Sequence, residues 1–228
     1  MTAQSGTLSV ELKNLRPTQI SVGMKLVKAK RKGIRLRERQ PAELVEFILA
    51  NPIRVIAGPA KLFYVVDHHH LAHALLNEGF ETAPVLVLGD LSKTPRDKFW
   101  SEMEAKGWVH AYDSKGVKRP ISAIPRKIRD MENDPYRSLA GFGRQDGYFL
   151  KSQTPFAEFL WADFYRTRIA LKLIKKNFAK SLSYAMKLAA SPDAAKLPGY
   201  ISAKPEKKSP VAQKTVPRVK KRSQRKSV

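Results

Sequence analysis

The residues Asp67-His68-His69-His70, with His73 shortly after, put four of the chain's five histidines within six positions, beside a carboxylate. Imidazole titrates near pH 6.5, so such a group can give or take a proton, contact a phosphate or ligate a metal near neutral pH. For the hydrolysis of a phosphodiester, His69 or His70 would serve as base or acid. Asp67 would orient a histidine, and cationic or backbone donors would hold the developing charge. His69 and His73 stand at i, i+4, the spacing two helical residues need to share a metal or a phosphate. Two histidines without a carboxylate on the same face make a thin metal site, so a divalent metal stays open rather than assigned.

The elements that must position these residues are legible nearby. Leu62 to Val66 is a β-rich apolar run, and Leu71 to Leu76 is a good helix former that closes at Gly79. A buried strand therefore runs into a helix with the Asp–His cluster at the junction. The first turn of that helix carries unpaired backbone N–H groups and the positive end of the dipole. An oxyanion is expected there, on the N–H groups of His69 and His70, with an affinity that rises as pH falls through 6.5. Leu71, Ala72, Leu75 and Leu76 fall on one arc, and His69, His70, His73 and Asn77 on another that would face a cleft or solvent. The plainer reading makes Asp67 a helix cap and the histidines ordinary exposed polar residues.

The rest of the chain reads as α+β. Met1 to Gly6 is a loose end and Thr7 to Leu12 a strand. Leu15-Arg16-Pro17-Thr18-Gln19 turns the chain. Val22 to Arg39 holds eight basic residues against Glu38 alone, either a solvated face or the lining of a phosphate groove. Pro41 opens a helix through Ala50, and Ile53 to Ala57 forms a hairpin with Leu62 to Val66 around Gly58-Pro59. A strand at Pro84 to Leu88, a helix from Thr94-Pro95 to Gly107 and a last strand at Trp108 to Tyr112 complete the first unit, 7–112. In 113–200, a helical extension, a loop to Pro125 precedes a short helix that starts at Asp134-Pro135-Tyr136 and breaks at Gly141-Phe142-Gly143. A long helix from Thr154-Pro155 to Phe178 and another at Ser181 to Ala190 follow. Residues 201–228, rich in Lys, Pro and Ser, read as a disordered basic tail.

The formal net charge is +23; the stretch from Lys204 onward, with ten basic residues and one acidic, supplies +9, leaving +14 elsewhere. A polyanionic partner is expected, nucleic acid and DNA foremost, with an anionic membrane surface as the competing reading. The absence of cysteine excludes disulfides, thiolate metal sites and cysteine nucleophiles. With no signal-like N-terminus and no membrane-length apolar run, the expectation is a cytoplasmic protein with no membrane segment.

The Asp67-His68-His69-His70 corner between strand and helix resembles the ParB-like nuclease domains of the ParB/sulfiredoxin fold. Leu15-Arg16-Pro17-Thr18-Gln19 with Val22-Gly23, the segment Phe156 to Phe164 and the close at Leu197-Pro198-Gly199-Tyr200 are similar to the same nuclease branch. The resemblance spans about Val10 to Tyr200 and implies a small mixed sheet with packed helices. It also implies that the corner binds phosphates, as ParB partition proteins do with a nucleotide and sulfiredoxins with ATP. Relatives commonly carry Asp-Gly-His-His-Arg here. Asp67, His69 and His70 match; His68 stands for the glycine and Leu71 for the arginine. Losing that arginine removes a bidentate phosphate donor, which His68 and His73 would offset in part. Gln19 and Lys30 are further candidates for phosphate contact. Three functions are carried forward: a nucleic-acid phosphodiesterase, a non-enzymatic DNA-binding protein, and a nucleotide-dependent small-molecule kinase of the same fold.

Overall fold

The computed structural model describes residues 7–202. The loose end expected at Met1 to Gly6 and nearly all of the expected tail lie outside the described residues.

Fifteen segments make up the framework: β1 (Thr7–Glu11), β2 (Leu15–Pro17), β3 (Ser21–Val22), α1 (Met24–Arg37), α2 (Pro41–Ala50), β4 (Ile53–Gly58), β5 (Leu62–Asp67), α3 (His69–Asn77), β6 (Thr82–Asp90), α4 (Arg96–Ala105), β7 (Glu132–Asn133), α5 (Pro135–Gln145), α6 (Ala157–Arg166), α7 (Leu171–Lys176) and α8 (Phe178–Ala189). Five strands form one mixed sheet in the order β1-β6-β4-β5-β2, and β3 pairs with β7 in a separate two-stranded ladder. The β4–β5 hairpin is antiparallel with Gly58 opposite Leu62, as the Gly58-Pro59 signal predicts. The fold is therefore α+β with a small mixed sheet, and Val55, Ile56 and Val65 at its centre are fully buried.

One face of the sheet packs on α3 and α1 through Leu71, Leu75, Val27 and Ile34. The other receives α4 through Phe99 and Met103. A second core, built on Trp161, Tyr165, Phe149 and Leu139, joins α5 and α6 to α7 and α8. Each of these large side chains contributes roughly 1.5–3 kcal/mol by leaving water.

Several elements differ from the sequence reading, each for a physical reason. Leu15–Pro17 is a strand, parallel to β5, rather than a turn. It lies at the sheet edge, where a proline without an N–H is tolerated. Trp108 to Tyr112 is no strand: only single bridges, Gln19 with His110 and Tyr112 with Lys118, touch it. The basic run forms α1, whose Lys28 and Lys32 are exposed while Leu26, Val27 and Ile34 are buried.

The helix opened by Asp134 continues through Gly141 and Gly143 to Gln145. A side chain at 141 would overlap Leu26 of α1, so glycine there permits close helix contact rather than a break. Gly23 serves the same contact from the other side, since a Cβ on it would lie 2.9 Å from Ser138 N. The expected 154–178 helix is interrupted. Phe156 sits in the left-handed region at φ 56° before α6, and the Tyr136 hydroxyl donates to the Ile169 carbonyl at 2.7 Å between α6 and α7. Asn177 then caps α8 by accepting from Lys180 N at 3.0 Å.

Candidate phosphate site at the start of helix α3

β5 ends at Asp67, and its Oδ1 accepts a hydrogen bond from His68 N at 2.7 Å. His68 takes the left-handed conformation, φ 69° and ψ 26°, and hands the chain to α3. That conformation costs a non-glycine residue roughly 1–3 kcal/mol. The first helical bonds come from Leu71 N and Ala72 N to the His68 carbonyl. The N–H groups of His69 and His70 are thus the orphan donors of the first turn.

His69 and His70 line a cavity of about 480 Å³ whose wall also includes Gln19, Lys30, Asp67 and His68. Six of the seven residues singled out from the sequence come together in this way. His73 does not line it. It is buried one turn further on, with Nδ1 3.0 Å from Asn77 Nδ2. The expectation that the polar arc of α3 faces a cleft or solvent is corrected there, because α1 covers that side of the helix. Arg31 and Arg35 of α1 reach across α3 to Glu78 at 2.5 and 2.6 Å.

The cavity wall holds His69 but not His73, the pair whose spacing suggests a shared metal. Among the described residues, no group of three or more His, Cys, Asp or Glu side chains is placed to hold a metal ion.

His69 and His70 act through their rings as acceptors for backbone. His69 Nε2 receives Thr18 N at 3.4 Å, and His70 Nε2 receives Gly23 N at 3.2 Å. With Nε2 accepting, the ring proton of each is assigned to Nδ1 from these partners. Burial pushes the His69 pKa down to about 3, against a smaller upward pull from Asp67. Burial, reinforced by the positive charge of Arg137, holds His70 well below the ordinary imidazole range. Both rings are therefore neutral at pH 6.5, and the expected rise of anion affinity through that pH is corrected. Desolvation is the physical reason: ring charging loses more hydration than the site returns.

His68 differs from its neighbours. It lines the cavity, its Nδ1 is shut off from solvent without a hydrogen-bond partner, and burial lowers its pKa. Lys30 is half-buried, and its pKa is lowered by burial first and by Arg144 next.

The sequence reading missed the opposite wall, where Arg137 and Arg144 project from α5 and Glu158 from α6. Asp134 caps α5 by accepting Tyr136 N at 2.8 Å and is itself held by Arg166 Nη2 at 3.0 Å. These contacts fix the start of the helix that carries Arg137. The Arg137 side chain is 12% exposed, and its Nε and Nη1 are buried without a hydrogen-bond partner. Its Nη2 lies 3.8 Å from Glu158 Oε2, a loose ion pair, and its guanidinium stands 5.1 Å from the Phe159 ring centre. Arg144 Nε is 2.7 Å from Glu158 Oε1 but off the N–H axis, so that contact is an ion pair without a hydrogen bond.

Leu71, at the place where the resembling pattern has arginine, is packed in the sheet core and sends nothing to the cavity. A guanidinium is nevertheless present, supplied by α5. Sequence offered one usable signal for it: Asp134-Pro135 marks a helix start with Arg137 in its first turn. The contact with the Asp–His corner is tertiary.

A family model described as "Putative ParB-like nuclease" matches residues 8–167. The crystal structure of protein Atu1540 from Agrobacterium tumefaciens is similar at 40% identity and a TM-score of 0.77, covering 86% of this chain and 98% of that one. A free serine kinase in complex with AMP is 19% identical over 38% of this chain and 32% of that one, at a TM-score of 0.27. A conserved hypothetical protein from Pyrococcus furiosus is 14% identical over 42% and 37%, at 0.26. The last two superpose too weakly to carry an argument. Among curated proteins none matches the chain.

Proposed function

The chain belongs to the ParB-like nuclease family, and from that premise we propose that the cavity binds and hydrolyses a phosphodiester of nucleic acid, DNA foremost. One observation carries the reading. Two guanidinium nitrogens of Arg137 and one imidazole nitrogen of His68 are buried and unpartnered, on residues that line the same cavity as His69 and His70 at the start of α3. Buried polar groups without partners are rare and costly, and the Arg137 N–H groups with the backbone donors of α3 form a receptor for one tetrahedral oxyanion.

In the proposed reaction, Arg137 and the N–H groups of His69 and His70 hold the non-bridging oxygens. A water attacks phosphorus and forms the new P–O bond. His68, neutral because it is desolvated, takes the proton from that water once its ring turns Nδ1, shut off from solvent here, into the cavity. The bond to the leaving oxygen breaks, and Lys30, whose pKa burial lowers, gives that oxygen its proton. Charge builds on the equatorial oxygens, where the cationic wall stabilises it. Asp67 fixes the turn that presents His68, and the rings of His69 and His70 lock α3 to the Thr18–Gly23 segment. Among the described residues no cage of three or more metal-ligating side chains stands together, and no step here runs through a metal.

The overall basic charge favours a polyanionic substrate. The test is cleavage of single- and double-stranded DNA and of RNA by the full chain, with and without divalent cations, beside His68→Ala and Arg137→Met. Cleavage lost in both variants supports the reading. Equal cleavage by all three proteins overturns it, as does no cleavage of any of these substrates by the unaltered chain.

A further inference from the structure

A second cluster of cations lies beyond the segment that the family model matches. From Leu171 to Ala190 the chain has five lysines and no acidic residue. α7 and α8 meet at Asn177, and between them lies a cleft of about 570 Å³, lined among others by Leu173, Lys176, Lys180, Tyr184 and Lys187. Lys180, Tyr184 and Lys187 recur at helical spacings on the exposed side of α8, while Ser181, Ala185 and Ala189 turn to the core. The two lysines are about 10 Å apart along the axis.

Tyr184 is 46% and Leu173 50% exposed. None of the lysines in the cleft forms a salt bridge among the described residues. The outer side of α8 therefore presents unneutralised cations flanking an open aromatic ring.

We propose that the α7–α8 cleft is a docking track for single-stranded nucleic acid, with Lys176, Lys180 and Lys187 on successive phosphates and a base stacked on Tyr184. Charge complementarity selects a polyanion. The ring selects a strand whose bases are unstacked, because a duplex offers no free base face. An anionic membrane would also meet the lysines, but the exposed apolar residues of α7 and α8, Leu171, Leu173 and Tyr184, give it little to bury. The track is separate from the α3 cavity and acts in binding, so it stands or falls independently of hydrolysis there.

The experiment measures equilibrium binding of the full chain to a fluorescent oligo-dT strand and to a duplex of equal length, across a salt series. The same measurement is made on Lys176→Ala/Lys180→Ala/Lys187→Ala and on Tyr184→Ala. Circular dichroism and melting temperature confirm that these surface variants are folded. Removing three phosphate contacts should lower the salt slope for the single strand by about 2, at roughly 0.7 per contact. Tyr184→Ala should weaken single-strand binding roughly 5- to 150-fold and leave duplex binding unchanged, with the salt slope preserved. An unchanged slope in the triple variant, or an equal loss for both substrates in Tyr184→Ala, overturns the proposal. So does loss of binding to phosphatidylserine vesicles in variants that keep the oligonucleotide, which would mark the face as a membrane surface.

Discussion

Replacing Arg137 by methionine should make the protein more stable and its cavity unable to hold an anion. The unbranched thioether fills much the same volume. The arginine leaves two buried N–H donors unpaired, and each such group costs roughly 1–3 kcal/mol. Against this stand the Phe159 contact at 5.1 Å, worth about 0.5–2 kcal/mol, and a loose 3.8 Å pair with Glu158 worth at most about 1 kcal/mol. Glu158 keeps Arg144 at 2.7 Å, so the substitution strands no charge. The balance favours methionine by about 2 kcal/mol, or roughly 4–8 °C in melting temperature for a domain of this size.

Anion binding should move the other way. Loss of charge-assisted bonds at about 1.5–3 kcal/mol each implies at least a tenfold weaker sulfate affinity. Scanning calorimetry with and without sulfate reads both effects in one experiment: a higher baseline melting temperature and a smaller sulfate-induced rise. A drop of several degrees without sulfate would refute the reasoning. It would show that the two donors are satisfied in the native protein and that Arg137 is a structural residue.

His68→Gly should leave the melting temperature unchanged or slightly higher, since glycine adopts φ 69° without the roughly 1–2 kcal/mol penalty, and cleavage should be lost; a destabilised variant counts against this account of the turn. Sulfate affinity should stay flat between pH 7.5 and 6, because His69 and His70 do not charge there; a marked rise near 6.5 would show that they do. Stability should fall with acid: the unfolded His69 takes a proton near 6.5 and the folded one only near 3, so its contribution is complete above 6.5. That contribution is lost as pH falls toward about 3, on the order of 5 kcal/mol in all, and a denaturant midpoint independent of pH across that window would contradict it. Gly141→Ala gains about 1 kcal/mol of helix propensity but collides with Leu26, so chemical denaturation should show a net loss of roughly 1–2 kcal/mol.

The elements that local chemistry specifies are legible in the sequence alone. Pro41 fixes the start of α2, the Gly58-Pro59 punctuation marks the β4–β5 hairpin, and the apolar run into Asp67 announces a strand meeting a helix. Type and spacing single out the corner residues Asp67 to His70, and folding brings them to one cavity with Gln19 and Lys30. Periodicity placed Leu71, Leu75 and the histidines on opposite arcs correctly. It could not say that His69 and His70 of the second arc would line the cavity while His73, on the same arc, would not.

What folding alone decided depends on contacts between residues distant in sequence. Gly141 reads locally as a helix breaker, but the approach of Leu26 from α1 makes it the residue that lets two helices touch. Leu71 reads as a missing arginine, while the guanidinium comes from Arg137, held in place by Asp134 and Arg166. The protonation of the histidines was also beyond the sequence. An imidazole's pKa follows its hydration and its partners, and those are set only when β2, α1, α3 and α5 close around the corner.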